Sequence, residues 1–375
     1  MTARPFFQKL FALALLLATT HCIELKSSPF DTSQGGLLGF LTLFARDDGR
    51  VRYIAAADAG TVYSSTNGLV WRSTILDSTI NFRSAVWSGS KWFLVGGTAS
   101  ACSVYSSSDG LTWTAATLPS CLNRLQAVAA STDGTRIMAV GDPAPTAPAG
   151  VVSLDSGSTW NTITTLGTYT YAGLVFANNQ FMAFNNPAGA VRVNAAVSDG
   201  TTNFALTSND PQTGAKENTY GAALAIGNRI VHAADEPASM SPDPMNSVTT
   251  TDNGATLWTV NPMSNRIFGG NTSDLFPRAL AADSAGTTLV AVGDACLVDR
   301  TNDLAGLTWT GVQTAMTGCS GIKWQGLIYD GAKYVATGVD GSNAGYFAYS
   351  STGNATDWTI GTLGSVSINH LAIRP

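Results

Sequence analysis

The chain has 375 residues, 45% of them hydrophobic and only 12% charged, with a net charge of −5. Charged residues usually make up about a quarter of a globular chain, and six Lys give no basic face broad enough for a nucleic-acid backbone. Glu24, Glu217 and Glu236 are the only glutamates and there are three His, which leaves little material for paired-carboxylate hydrolysis or a zinc site. Gly, Ser, Thr, Asn, Val and Ala dominate instead, a mixture suited to strands joined by tight turns.

Taken from the N-terminus, residues 1–21 read as a leader and not as folded structure. Arg4 and Lys9 form a positive start, and LFALALLLA, Leu10 to Ala18, is an apolar run too short to span a bilayer as a stable helix. The run leads through TTHC to Cys22. A Cys directly after such a segment resembles a bacterial lipobox, with His21 where a small residue usually stands; spirochaete lipoproteins carry similarly loose versions. The resemblance implies cleavage before Cys22 and lipid on its thiol. Residues 22–39, which include ELKSSPFDTSQGG, then form a tether, and 40–375 the folded domain. The other reading is ordinary secretion, with Cys22 inside or beside the removed peptide.

From Val51 onward the chain repeats. Seven related hairpins follow in order: YSSTNGLVWRSTI, YSSSDGLTWTAATL, VSLDSGSTWNTITTL, AAVSDGTTNFALTS, TTTDNGATLWTVNP, RTNDLAGLTWTGV and YSSTGNATDWTIGTL. Their landmark rings are Trp71, Trp113, Trp160, Phe204, Trp258, Trp309 and Trp358, spaced by 42, 47, 44, 54, 51 and 49 residues. A blade of four antiparallel strands needs about that length. Ahead of the later hairpins stand apolar pairs such as FRSAVWSGSKWFLVGG, LQAVAASTDGTRIMAVGD and WQGLIYDGAKYVATGVD. Runs so continuous in Val, Leu, Ile and Ala predict strands buried on both faces. The first unit, VRYIAAADAGTVYSS, lacks its opening strand, while VSINHLAIRP at 366–375 is an opening strand with nothing after it. Joining the two closes a ring and removes two sheet edges. The predicted fold is all-β: a seven-bladed β-propeller of four-stranded antiparallel blades, the first completed by the C-terminal strand.

Ser107, Asp109, Gly110 and Trp113 in the second hairpin resemble the Asp-box, or BNR repeat, of sialidase-like propellers, S-x-D-x-G-x-x-W. Asn67 with Gly68, Asp199 with Gly200, Asp252 with Gly254, and Gly353 with Asn354 mark related turns. Small polar side chains there bond to backbone while Gly takes the left-handed conformation, and the Trp buries a large ring. The resemblance covers about Val51 to Pro375. It implies that each hairpin joins the third and fourth strands on the rim away from the binding face, and it is nearly silent on activity.

Strand assignment also pairs the cysteines. None has C-x-x-C spacing. Cys102 opens the third strand of the second blade and Cys121 follows its fourth; Cys296 and Cys319 hold the same two places in the sixth. Those places fall at one end of a blade, which predicts Cys102–Cys121 and Cys296–Cys319 disulfides; four reduced core thiols are the alternative.

Propeller ligands sit around the central channel, at the end opposite the Asp-box turns. The inner-strand starts put Arg83, Gln126, Tyr171, Tyr220, Arg278, Trp324, Gln325 and His370 there, a set able to hold a glycan, a peptide or a carboxylate. Long loops at the same end, PAPTAPAG, EPASMSPDPMNS and PMSNRIFGGNTSDLFP, add Pro and the apolar Met263, Ile267 and Phe268. A sialidase would need an arginine cluster, a Tyr nucleophile polarised by a Glu, and an acidic acid/base group. Arg83, Arg124 and Arg278 could stand for the first, with Glu217 near Tyr220. However, the Arg-Ile-Pro signature of the N-terminal blade is absent, and the IRP at Ile373 to Pro375 lies at the wrong end. The expected function is therefore non-catalytic. The chain reads as an envelope propeller, lipid-anchored to the bacterial outer membrane on its surface or periplasmic face. It would bind a protein or glycan at the channel mouth as a monomer, with no cofactor, metal or nucleic acid. The alternatives are a glycoside hydrolase of sialidase type and a periplasmic assembly scaffold similar to photosystem II assembly-factor and secretion-associated propellers.

Overall fold

The computed structural model describes residues 49–375 apart from 120, 122, 144–149, 164, 167–169, 186–194, 199, 202–204, 207–218, 236–245, 251–258, 261–276, 304–307 and 310–313. Residues 1–48, on which the expected leader, Cys22 and the expected tether fall, lie outside the described residues, as do Asp199, Phe204, Glu217, Asp252, Gly254, Trp258 and most of the three long loops. Among the described residues no helix is long and apolar enough to cross a membrane.

Seven four-stranded antiparallel sheets make up the described domain. Blade two runs outward through Asn81–Trp87, Trp92–Gly97, Cys102–Ser107 and Thr114–Ala115, and blade three through Leu125–Ala130, Ile137–Gly141, Gly150–Ser153 and Asn161–Thr162. Blade four holds Tyr171–Ala177, Gln180–Asn185, Ala195–Ser198 and Ala205–Leu206; blade five, Thr219–Ile226, Arg229–Asp235, Asn246–Thr250 and Thr259–Val260. Pro277–Ala282, Leu289–Gly293, Leu297–Thr301 and Thr314–Ala315 form blade six, and Lys323–Tyr329, Tyr334–Val339, Gly345–Ser350 and Thr359–Gly364 form blade seven. Blade one takes Tyr53–Ala57, Thr61–Ser65 and Arg72–Ile75 from the start of the domain and its inner strand, Ile368–Ile373, from the end. Tyr53 pairs with Ile373, Ala55 with Leu371 and Ala56 with His370, so the predicted closure is present. Each inner strand packs on the next around the whole ring.

The second strands are buried residue after residue in Tyr53–Ala57, Trp92–Gly97, Ile137–Gly141, Leu289–Gly293 and Tyr334–Val339. Alternation is absent because both faces of a blade pack on neighbouring blades. Phe93, Val95 and Val104 of blade two, for example, share one cluster with Ile137, Ala139, Val151 and Trp160 of blade three. Fully burying one such side chain is worth about 1.5–3 kcal/mol. The fourth strands are the wheel's outer edge, and Arg72–Ile75 is exposed throughout.

The outer hairpins are fastened by one recurring hydroxyl. Ser107 Oγ accepts the Gly110 N–H at 2.8 Å and donates to Asp109 Oδ1 at 2.9 Å, while Asp109 accepts the Leu111 and Thr112 N–H groups at 2.8 Å. Ser65 with Gly68, Ser153 with Gly157 and Ser350 with Gly353 repeat the Ser–Gly bond at 2.7–2.8 Å. In blade seven the acid is Asp357, bonded to Ser350 Oγ at 2.5 Å, and not Asn354. Trp160, Trp309 and Trp358 are buried, whereas Trp71 and Trp113 are half-buried. Both predicted disulfides are present, with Cα–Cα distances of 5.6 Å for Cys102–Cys121 and 5.9 Å for Cys296–Cys319.

Candidate functional site at the channel mouth

Every inner strand breaks register near its start. The pairing skips Arg83, Gln126, Ala172, Gly221, Arg278 and Gln325 in blades two to seven, and Asn369 in blade one. A β-bulge leaves one residue unpaired and re-aims its side chain. All seven bulged residues line one cavity of about 410 Å³ at the head of the channel. Reading round the ring from blade six gives Arg278, Gln325, Asn369, Arg83 and Gln126 as a polar arc, closed by the small Ala172 and Gly221. Blade five has no side chain there for a packing reason: a Cβ on Gly221 would lie 2.3 Å from the Pro277 carbonyl oxygen.

The bulges correct two site residues expected from sequence. Tyr171 and Trp324 precede the bulge, are 1% and 0% exposed, and belong to the blade cores. Tyr220 holds the same register position in blade five, and its side chain lies outside the described residues. Arg83, Gln126, Arg278, Gln325 and His370 do meet at the mouth. Strict alternation offers no way to choose between neighbours such as Trp324 and Gln325; only the extra residue decides.

A second ring of acids was not singled out in the sequence. Asp58, Asp142 and Asp294 each follow the end of a second strand, at the same end of the wheel. Arg278 grips Asp294 with two bonds, Nε to Oδ1 at 2.6 Å and Nη2 to Oδ2 at 3.0 Å. Arg124 Nη2 lies 3.3 Å from Asp142 Oδ2, and Gln126 Nε2 donates to both Asp142 oxygens at 3.1 Å. Arg83 Nη1 reaches Asp58 Oδ1 at 3.3 Å and Asn369 Oδ1 at 2.9 Å, and Asn369 Nδ2 returns to Asp58 at 2.9 Å. The recurrent Asp closing AAAD, AVGD and AVGD was the available signal. Each arginine thus has a carboxylate of its own. Burial pulls the pKa of Arg83 down; Asp58 opposes this, and nearby Arg124 adds to it.

His370, one layer deeper, accepts the Ala85 N–H through Nδ1 at 3.3 Å, and burial pushes its pKa down to about 4. The imidazole is therefore neutral at physiological pH. Beyond it the channel turns apolar, with Leu174, Leu280, Leu327 and Leu371 around the waist. The far end opens into a funnel of about 720 Å³ lined by residues such as Trp87, Phe176, Leu224 and Ile328. Among the described residues no group of three or more His, Cys, Asp or Glu could hold a metal ion.

No protein-family model matches the chain, and no curated protein matches it. Solved structures share the fold. A quinonprotein alcohol dehydrogenase-like protein from Bacteroides thetaiotaomicron is similar with a TM-score of 0.59 and 10% identity, over 86% of this chain and 78% of that one. YCF48 bound to D1 peptide gives 0.54 and 14%, over 77% and 87%. The WD40 β-propeller domain of Doa1 gives 0.52 and 16%, over 77% and 85%. At such identities the likeness is one of fold alone, that of a β-propeller.

Proposed function

We propose that this chain is a non-catalytic propeller that binds a macromolecular partner, protein in preference to glycan, at the channel mouth, held at the cell envelope by lipid on Cys22. The observation that carries the reading is the asymmetric ring of bulged residues, five polar and two small, around an open cavity. Catalysis is disfavoured because Asp58, Asp142 and Asp294 are each paired with an arginine at 2.6–3.3 Å, which leaves no two of them facing each other across the cavity as an acid and a base. YCF48, a propeller of similar fold, is described as bound to a peptide, which supports a protein partner here. The Ser–Asp–Gly bonding of the outer hairpins supports the Asp-box resemblance at the level of architecture. The leader and Cys22 support the anchor, with the outer membrane as its site and the surface or periplasmic face left to experiment.

A photo-crosslinking residue at position 325 is expected to give one discrete adduct in intact cells, and the same residue at 75, on the outer edge, none. Ala172→Trp, which fills the cavity from its small side, should abolish that adduct. Adducts from both positions, or from neither, would overturn the reading. Labelled palmitate should enter the wild type and not Cys22→Ala, and protease added to intact cells separates surface from periplasmic exposure. Turnover of methylumbelliferyl glycosides that is lost on Asp142→Asn would convert the proposal into a glycosidase.

A further inference from the structure

We infer that the channel mouth selects an uncharged, hydrogen-bonding guest, the amide- or hydroxyl-bearing tip of a polypeptide, and turns away free carboxylates and phosphates. This rests on the mouth being the binding site and adds what it reads.

The first ground is charge. An arginine cluster in a cleft ordinarily invites an anion, yet here Arg83, Arg124 and Arg278 already hold Asp58, Asp142 and Asp294 at 2.6–3.3 Å. The formal charge of the three pairs is zero. An incoming anion must displace a carboxylate fixed in place beside the same guanidinium, and the displaced acid would then sit unpaired in a partly buried wall. Amides lock two of these acids further: Gln126 Nε2 bonds both oxygens of Asp142, and Asn369 Nδ2 bonds Asp58.

The second ground is what remains. Gln325 is half-buried and lines the cavity, and its side-chain amide makes no hydrogen bond among the described residues. Its amide offers both donor and acceptor. Across the cavity Ala172 leaves room, and the layer beneath is apolar apart from the Ser84 hydroxyl and the neutral His370. A charged guest would lose water against that floor with no opposite charge in return, whereas an amide or hydroxyl can be satisfied by one or two bonds.

The third ground separates peptide from sugar. A pyranose face is commonly held on a flat aromatic ring, and of the rings that directly precede a bulge the described ones, Phe82, Tyr171 and Trp324, are buried within the blades. Among the described residues no aromatic side chain besides His370 lines the cavity. The volume, about 410 Å³, suits a loop tip of a few residues.

The test uses the purified full chain and four probes: acetyl-Gly-Gln-Gly-amide, acetyl-Gly-Glu-Gly-amide, inorganic phosphate and maltose. Binding is read from the side-chain amide resonance assigned to Gln325 by its loss in Gln325→Leu. The Gln peptide is expected to bind at least about tenfold more tightly than the other three. Its affinity should hold steady between about 50 and about 500 mM salt. Asp58→Asn, at a side chain 32% exposed and so tolerant of change, should free Arg83 and shift preference towards the Glu peptide by about tenfold. Wild type that prefers the Glu peptide, phosphate or maltose, or that binds none of the probes, overturns the inference. Should the adduct at position 325 persist in any of those cases, the binding mouth stands and only its chemistry is wrong.

Discussion

His232 shows how much one side chain can carry that its sequence position does not announce. It lies in the second strand of blade five, 0% exposed, with its ring stacked on Phe184 of blade four at 4.7 Å and 3° between planes. Burial pushes its pKa from 6.5 to about 3. The folded value lies below the unfolded one, so between those values the unfolded chain binds more protons. The stabilising contribution is complete above 6.5 and lost as the pH falls towards 3. His370, lowered to about 4 by the same cause, acts with the same sign. The melting temperature of the wild type should therefore fall more steeply between about pH 6 and about pH 4 than that of His232→Phe, which keeps a ring against Phe184. Parallel curves would show that the imidazole is not the group responsible. At this scale the sequence was only half legible. Arg83, Gln126, Arg278 and Gln325 were findable as polar residues opening apolar strands. Tyr171 and Trp324 were not separable from them, because a bulge is a backbone event that leaves no fixed residue type behind.

The outer hairpin is the element that repeats most faithfully, and its constant part is not the residue that gives the motif its name. Aligning the rings draws the eye to Asp109 and its counterparts, yet the acid moves. It stands two positions after the serine at Asp109 and Asp155, is an amide at Asn67, and sits seven positions after Ser350 at Asp357. What stays is the buried hydroxyl ending the third strand, on Ser65, Ser107, Ser153, Ser198 and Ser350, with Thr301 in blade six. The same point in space can be reached by an acid from either side of the loop, so sequence spacing wobbles while geometry holds. Ser153, 0% exposed, accepts the Gly157 N–H at 2.8 Å and donates to Asp155 at 2.8 Å. Ser153→Ala leaves that N–H without its acceptor, and unfolding in urea should show a loss of about 1–3 kcal/mol. Gly157→Ala should cost more than Ser153→Ala. Its φ of +80° disfavours a side chain, and the added Cβ would lie 2.3 Å from Phe93 Cε1 of the neighbouring blade. A Ser153→Ala protein within about 0.5 kcal/mol of wild type would remove the hydroxyl from its anchoring role.

Blade number, closure and disulfide pairing were legible because each is a counting problem. Seven rings at blade-length intervals, a first unit missing one strand and a last strand with no unit to join leave few other arrangements. The same logic places two cysteine pairs at equivalent ends of blades two and six. What counting cannot give is how much stability the closing strand holds, and here the packing answers. Ile368 and Leu371 join the cluster that unites blades seven and one through Tyr53, Ala55 and Val335, while Ala372 joins Ile54, Phe82 and Leu94 between blades one and two. Ile368–Ile373 is thus a wedge between two neighbours as well as the inner edge of blade one. Removing residues 366–375 opens the pairing edge of Tyr53–Ala57 and strips both clusters at once, so the loss should spread round the ring. The truncated chain is expected to lose its cooperative thermal transition and to aggregate on warming. A synthetic peptide spanning 365–375, added during refolding, should restore that transition in proportion to its concentration, because it binds the folded wheel and not the unfolded chain. The same peptide carrying Leu371→Asp should fail, since a carboxylate would be buried beside Tyr53 and Ala55 with no partner. A truncated chain that melts as cooperatively and at the same temperature as the intact one would mean that the ring holds without its clasp.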